Sequence, residues 1–204
     1  MRNPAAVATL LGFAMGVFTA VGRRGSVRWL VAACGGYVEV VRNTPFLVQI
    51  FLVYFGLSSL GLSLPAFTVA IAALCINAGA YSAEIIRAGL DSVARGQLEA
   101  GETLGLSRLQ VYRYVIFPPA VERVWPALTS QFVLLMLASS VCSQISAEEL
   151  TAAANFIQSD TYRAFETYII VAVMYVVLSL VLRGAFWALG QALFPRRRQL
   201  GTAI

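Results

Sequence analysis

QLEAGETLGLSRLQVYRYVIFPP, residues 97–119, is a charged, glycine-punctuated segment lying between uncharged stretches long enough to cross a bilayer. Glu99 to Leu104 reads as a short helix ending near Gly105, a residue type that accepts a left-handed cap. Ser107 is placed to cap a second helix over 108–117. Pro118-Pro119 is expected to end that helix, because proline cannot continue the N–H ladder. Small residues at Ala100, Gly101 and Gly105 leave room for close approach by a partner groove. Two helices capped at both joints make a rigid lever, and a lever in this setting is a docking surface.

The rest of the chain supplies the setting. Of 204 residues, 59% are hydrophobic and 12% charged, against roughly 25% charged in soluble domains. Residues 4–22 carry no charge over 19 positions, 43–83 none over 41, 124–147 none over 24, and 167–182 none over 16. The 41-residue run is too long for one span and is interrupted at Gly61-Leu62-Ser63-Leu64-Pro65. About 20 apolar residues cross the hydrocarbon, and the runs lack the alternation of a barrel. The expectation is an all-α integral membrane protein, one domain over 1–204. It has five transmembrane helices, at about 4–22, 45–62, 66–86, 124–145 and 167–189, and the lever is a cytoplasmic loop between helices 3 and 4.

All fifteen basic residues are arginine, the formal net charge is +5, and histidine is absent. With the amino terminus outside, thirteen arginines fall on the cytoplasmic side (Arg23, Arg24, Arg28, Arg42, Arg87, Arg95, Arg108, Arg113, Arg123, Arg183, Arg196, Arg197 and Arg198). Arg2 and Arg163 fall outside. That bias orients the chain with its carboxyl terminus in the cytoplasm. The basic excess therefore reads as topology, not nucleic-acid binding, since no basic patch is interleaved with aromatics. Cys34, Cys75 and Cys142 have no metal-like spacing and read as small core residues. No zinc-ligand cluster, phosphate-binding loop or histidine base is present, so no catalytic or metal residue is assigned. The first apolar run exceeds a usual signal-peptide core and is followed by Arg23-Arg24, so it is read as a retained helix.

Residues 27–42 have Arg28, Glu39 and Arg42 on one side of a helix, with Trp29, Leu30, Val38 and Val41 mostly elsewhere. An interfacial amphipathic helix and an ordinary connecting loop both fit. Pro45 suits the start of helix 2. From Glu84 the charges run Arg87, Asp91, Arg95, Glu99 and Glu102 at spacings of 3 and 4, the stripe of a solvated helical face. Gly96 is expected to break it. For Glu84, a salt bridge to Arg87 is the preferred role.

Polar side chains within spans usually face the bundle interior. Asn77, Tyr81, Gln131, Ser139, Ser140, Ser143 and Gln144 are therefore candidates for a substrate pathway. Interhelical hydrogen bonding is the competing role, evenly weighed for Asn77 and Gln131 and preferred for Ser139 and Ser140. A channel or ion-coupled carrier would need intramembrane carboxylates, and spans 1, 2 and 4 have none. An intramembrane protease would need Ser–His or paired aspartates. A membrane anchor without transport is a third class.

Residues 97–119 resemble the EAA loop of ABC importer permeases, a pattern of EAA, three residues, Gly, nine residues, then I-x-L-P. Glu99, Ala100, Gly105 and Pro118 match, while Gly101, Val115 and Phe117 depart with size or apolarity kept. Arg42-Asn43-Thr44-Pro45-Phe46-Leu47-Val48-Gln49, Tyr54-Phe55-Gly56-Leu57 and Tyr81-Ser82-Ala83-Glu84-Ile85-Ile86-Arg87-Ala88-Gly89 resemble the polar amino-acid branch. The segments 145–150 and 163–168 fit that branch too. The resemblance implies a type I importer permease in a bacterial inner membrane. It would pair with a second permease, identical or paralogous. An extracytoplasmic amino-acid-binding protein would feed it and a cytoplasmic ABC ATPase dimer would drive it. ATP and Mg²⁺ would sit on the ATPase, with no cofactor on this chain. Glu99, Ala100, Gly101 and Gly105 would form the ATPase contact, with Arg108 and Pro118 fixing its geometry. A permease for another small solute, or a non-ABC channel or carrier subunit, is the alternative.

Overall fold

Long apolar runs with no alternation fold as helices, and no strand occurs among the described residues, 4–194, of the computed structural model. Arg2, Arg196, Arg197 and Arg198, counted above for topology, lie outside the described residues. The elements are α1 (Pro4–Gly22), α2 (Arg28–Arg42), α3 (Phe46–Ser59), α4 (Ala66–Asp91), α5 (Arg95–Thr103), α6 (Arg108–Ile145), α7 (Leu150–Thr161) and α8 (Ala164–Leu193). Helices α1, α4, α6 and α8 are each long and apolar enough to cross a membrane. Helices α2 and α3 together make a fifth candidate, bent by 112°. At 14 residues, α3 is roughly 21 Å long, shorter than the 45–62 expected and than the ~30 Å hydrocarbon.

The closest helix pair is α1 on α4, and small residues make it possible. A Cβ built on Gly12 would lie 2.6 Å from the Cβ of Ala78, and one on Gly16 would lie 2.6 Å from that of Ser82. Two glycines one turn apart meet two small residues one turn apart, which lets the backbones touch where lipid supplies no hydrophobic drive. A second cluster packs Ile50 of α3 and Leu74 of α4 with Leu135 and Cys142 of α6.

Three local expectations change. The helix after α4 breaks at Ser92–Ala94, not at Gly96, which lies in the first turn of α5. The side chain of Arg123 donates to the carbonyl of Ser92 and ties α6 to that break. Pro118-Pro119 does not end a helix either. Residues Val111–Ile116 are π-helical, and the N–H of Phe117 reaches five residues back to Tyr112. The wider turn relieves the clash of the proline rings with the preceding carbonyls, so α6 runs on through Ala138 and tightens to 3₁₀ over Ser139–Ile145. Finally, α7 is a helix that the apolar pattern did not announce. Glu149 starts it, its Oε1 accepting from the Ala152 N–H at 2.7 Å and its Oε2 from the Thr151 N–H at 2.9 Å. Tyr175 of α8 donates to the same carboxylate at 2.8 Å.

Candidate functional site

The lever is built from two caps back to back. At the end of α5, Gly105 takes φ +73°, its N–H bonds to Glu102 at 2.9 Å, and the Leu106 N–H bonds to Gly101 at 3.2 Å. This double bond pattern closes a helix on a left-handed glycine. One residue later Ser107 opens α6 with a capping box. Its N–H donates to Gln110 Oε1 at 2.8 Å, and its Oγ accepts from the Gln110 N–H at 3.4 Å.

Gly101 also has a role inside the lever. It is buried inside the lever, where an added Cβ would lie 3.3 Å from Val111 Cγ2 and 3.5 Å from Val115 Cγ2. Its smallness closes α5 onto α6, and it also lines the lever groove beside Ala100 and Leu104. Glu99 and Ala100 are exposed. Leu104 and Leu109 are also exposed, at 79% and 78%. Sequence reasoning passed over both leucines, although apolar side chains on a polar lever are the signal of a docking face. Arg108 is exposed and joins no ion pair among the described residues. Pro118 lines a groove of about 890 Å³ with Ala100, Leu104, Tyr114 and Phe117.

Above the lever, charges join three helices. Glu84 of α4 pairs with Arg87 as expected, and also with Arg23, just past the end of α1, at 2.6 Å and Arg42 of α2 at 3.7 Å. Asp91 pairs with Arg24, and with Arg87 at 2.7 Å. Partly exposed pairs are each worth about 0–1 kcal/mol. Their effect is to hold the ends of α1, α2 and α4 together above the segment that leads into the lever.

The pathway candidates separate. Asn77 is buried and donates to Gln49 Oε1 at 3.0 Å. Gln49 in turn donates to the carbonyls of Val41 at 2.7 Å and Thr44 at 2.9 Å. Asn77 is thus linked to the bend between α2 and α3 through Gln49, quoted above for the family resemblance but not among the pathway candidates. The signal available was a glutamine inside an apolar run. Tyr81 lies under the Arg42 guanidinium, 5.9 Å from its ring centroid. Gln131 is half-buried on α6, and no bond joins it to Asn77 or Tyr81 among those described. Ser139 donates to Met136 at 2.6 Å, Ser140 to Leu137 at 2.7 Å and Ser143 to Ser140 at 2.8 Å. These bonds stay within their own helix, in place of the interhelical ones expected of Ser139 and Ser140. Gln144 is exposed.

The family model described as the binding-protein-dependent transport system inner membrane component matches residues 12–195. The chain belongs to this family. This permease is 40% identical over 148 residues to the glutamine transport system permease protein of Escherichia coli strain K12, covering 72% of this chain and 68% of the relative. To the probable glutamine ABC transporter permease protein of Bacillus subtilis strain 168 it is 39% identical over 182 residues, covering 87% and 83%. An octopine transport system permease protein of Rhizobium radiobacter is 33% identical over 202 residues, covering 95% and 81%. Among solved structures, an amino acid ABC transporter with histidines superposes with a TM-score of 0.87 at 40% identity, over 93% of this chain and 88% of that one. A methionine ABC transporter in an inward-facing conformation shares the fold with a TM-score of 0.71 at 22% identity, over 93% and 90%. The chain is a membrane transport subunit and not an enzyme, of a family that works with a binding protein and an ATPase.

Proposed function

We propose that this permease carries polar amino acids inward across a bacterial inner membrane as half of a two-permease pathway, identical or paralogous, driven by a cytoplasmic ABC ATPase dimer. Supporting this are the relatives named for glutamine and octopine, and the amino acid transporter sharing 40% of its residues over nearly the whole chain. The observation that carries the mechanism is the lever: two capped helices with Glu99, Ala100, Leu104 and Leu109 exposed along it. ATP and Mg²⁺ belong to the ATPase. Its closure pushes on the lever, and α6 transmits the push because the π turn lets it run unbroken from the lever into the membrane.

The proposed spans are 4–22, 45–62, 66–86, 124–145 and 167–189 in one domain, amino terminus outside and carboxyl terminus cytoplasmic. The extracytoplasmic binding protein delivers the amino acid to the outer ends. Asn77, Tyr81 and Gln131 face the pathway, with Gln49 holding Asn77 in place. The alternating cycle requires two global states that differ in affinity for the ligand.

The test is ATPase activity of the assembled importer in lipid, with a panel of loaded amino-acid-binding proteins. Stimulation by a loaded protein, abolished by Glu99→Arg, supports both coupling role and substrate class. Stimulation by a non-amino-acid solute alone would give the permease a different cargo. Unchanged stimulation in Glu99→Arg would remove the lever from coupling.

A further inference from the structure

A groove of about 490 Å³ runs between α1, α6 and α8, lined by Leu10, Phe13, Leu128, Phe132, Met136 and Leu182. Its wall is a ladder of rings. Phe13 meets Phe132 at 6.1 Å, Phe132 meets Phe186 at 5.8 Å, and Phe186 meets Trp125 at 6.4 Å between centroids. Trp125 and Phe186 also line a second, smaller hollow of about 190 Å³ with Thr129, Ser130, Arg183 and Trp187. The apolar groove and the hollow that holds Arg183 therefore share Trp125 and Phe186 as a common wall.

Arg183 lies within α8, a helix long and apolar enough to cross a membrane, and no carboxylate pairs with it among the described residues. A cation within a span needs a counter-charge or a route to the interface. On α6, the hollow lies level with Trp125 to Ser130, the first turns of the proposed span. From Trp125 to Met136 the groove follows α6 for eleven residues, roughly 16 Å at the helical rise. On α1 it continues from Phe13 back to Ala5, so its Trp125 end lies in the inner half of the ~30 Å hydrocarbon and its Ala5 end in the outer half.

We propose that this groove and hollow bind one anionic phospholipid of the inner leaflet, an acyl chain against Phe13, Phe132 and Phe186 and the phosphate on Arg183. The site rests on the proposed orientation, which puts Arg183 on the cytoplasmic side. The Ser130 hydroxyl and the indole N–H of Trp187 add donors for the headgroup, and the two tryptophans suit the interface. A second permease laid over the same groove would bury the Arg183 charge in an apolar contact, a cost that a phosphate cancels.

The test uses the assembled importer in phosphatidylcholine vesicles containing increasing fractions of phosphatidylglycerol brominated on its acyl chains. The emission of Trp125 and Trp187 is followed in a Trp29→Phe background. Quenching that saturates at low phosphatidylglycerol, and that brominated phosphatidylcholine does not reproduce, is expected. Arg183→Gln should raise the half-saturating fraction about fivefold, the weight of one basic side chain facing an anionic leaflet, and Arg183→Lys should restore most of it. Equal quenching by both lipids, or no change in Arg183→Gln, overturns the site. Absence of quenching by either lipid also overturns it and hands the groove to the second permease. ATPase stimulation by loaded binding protein in the same vesicles reports separately on the import reading. Stimulation without saturable quenching removes the lipid site alone, and saturable quenching without stimulation removes the import reading alone.

Discussion

Helices α4 and α8 are both long and apolar, yet 56% of the apolar stretch of α4 is buried within the chain and none of that of α8. The difference follows from side-chain size more than from apolarity. Helix α4 brings Ala78, Gly79 and Ser82 to meet Gly12 and Gly16, whereas α8 turns Ile170, Val173, Val177 and Leu180 outward. Lipid tails are as apolar as leucine, so packing inside a bilayer is selected by close approach and polar contacts, not by expulsion from water. The outer sides of α8 are left for lipid and, on the proposed pairing, for a second permease.

The largest expected effect breaks the α1–α4 side of that contrast. Gly16→Leu puts carbon where only hydrogen fits, 2.6 Å from Ser82 Cβ and 3.0 Å from the Gly79 carbonyl. A loss of about 3 kcal/mol is expected, read as a collapse of folded yield and of the thermal midpoint in detergent. Wild-type behaviour would mean that the helices do not touch there. Next, Gly105→Val forces a branched side chain into φ +73° at about 2 kcal/mol of local strain. Basal ATPase activity of the assembled importer should survive while stimulation by loaded binding protein falls. Retained stimulation would mean the lever need not be rigid.

Smaller still is the Asn77–Gln49 bond. A double-mutant cycle with Asn77→Ala and Gln49→Ala should give a coupling of about 0.6 kcal/mol, and zero coupling would separate the two. Least of all, Val177→Ala on α8 should shift the stability of the lone subunit by less than about 0.5 kcal/mol. A clearly larger shift in the assembled importer would mark Val177 as covered by the second permease.

How much of this was readable from sequence depended on range. The caps at Gly105 and Ser107 depend on residues three to five apart, and both formed as read. The all-helical class followed from uncharged runs that no strand pattern could explain. What escaped was non-local or a matter of fine pitch. The Asn77–Gln49 bond spans 28 positions, and Gly12 and Gly16 acquire meaning only opposite Ala78 and Ser82. Pro118-Pro119 signals a helix end in any local scheme, and the π turn that carries α6 past it has no signature in single-residue preferences. The ion pairs of Glu84 show both cases together: Arg87, three residues away, was legible, whereas Arg23 and Arg42 were not.

Import of a polar amino acid through this permease can be measured without intermediaries. Its most direct test is uptake into vesicles bearing the assembled importer, with ATP inside and loaded binding protein outside. Accumulation of a radiolabelled polar amino acid that requires internal ATP and is lost in Glu99→Arg is the expected result. ATP hydrolysis with no accumulation of any amino acid in the panel would contradict it.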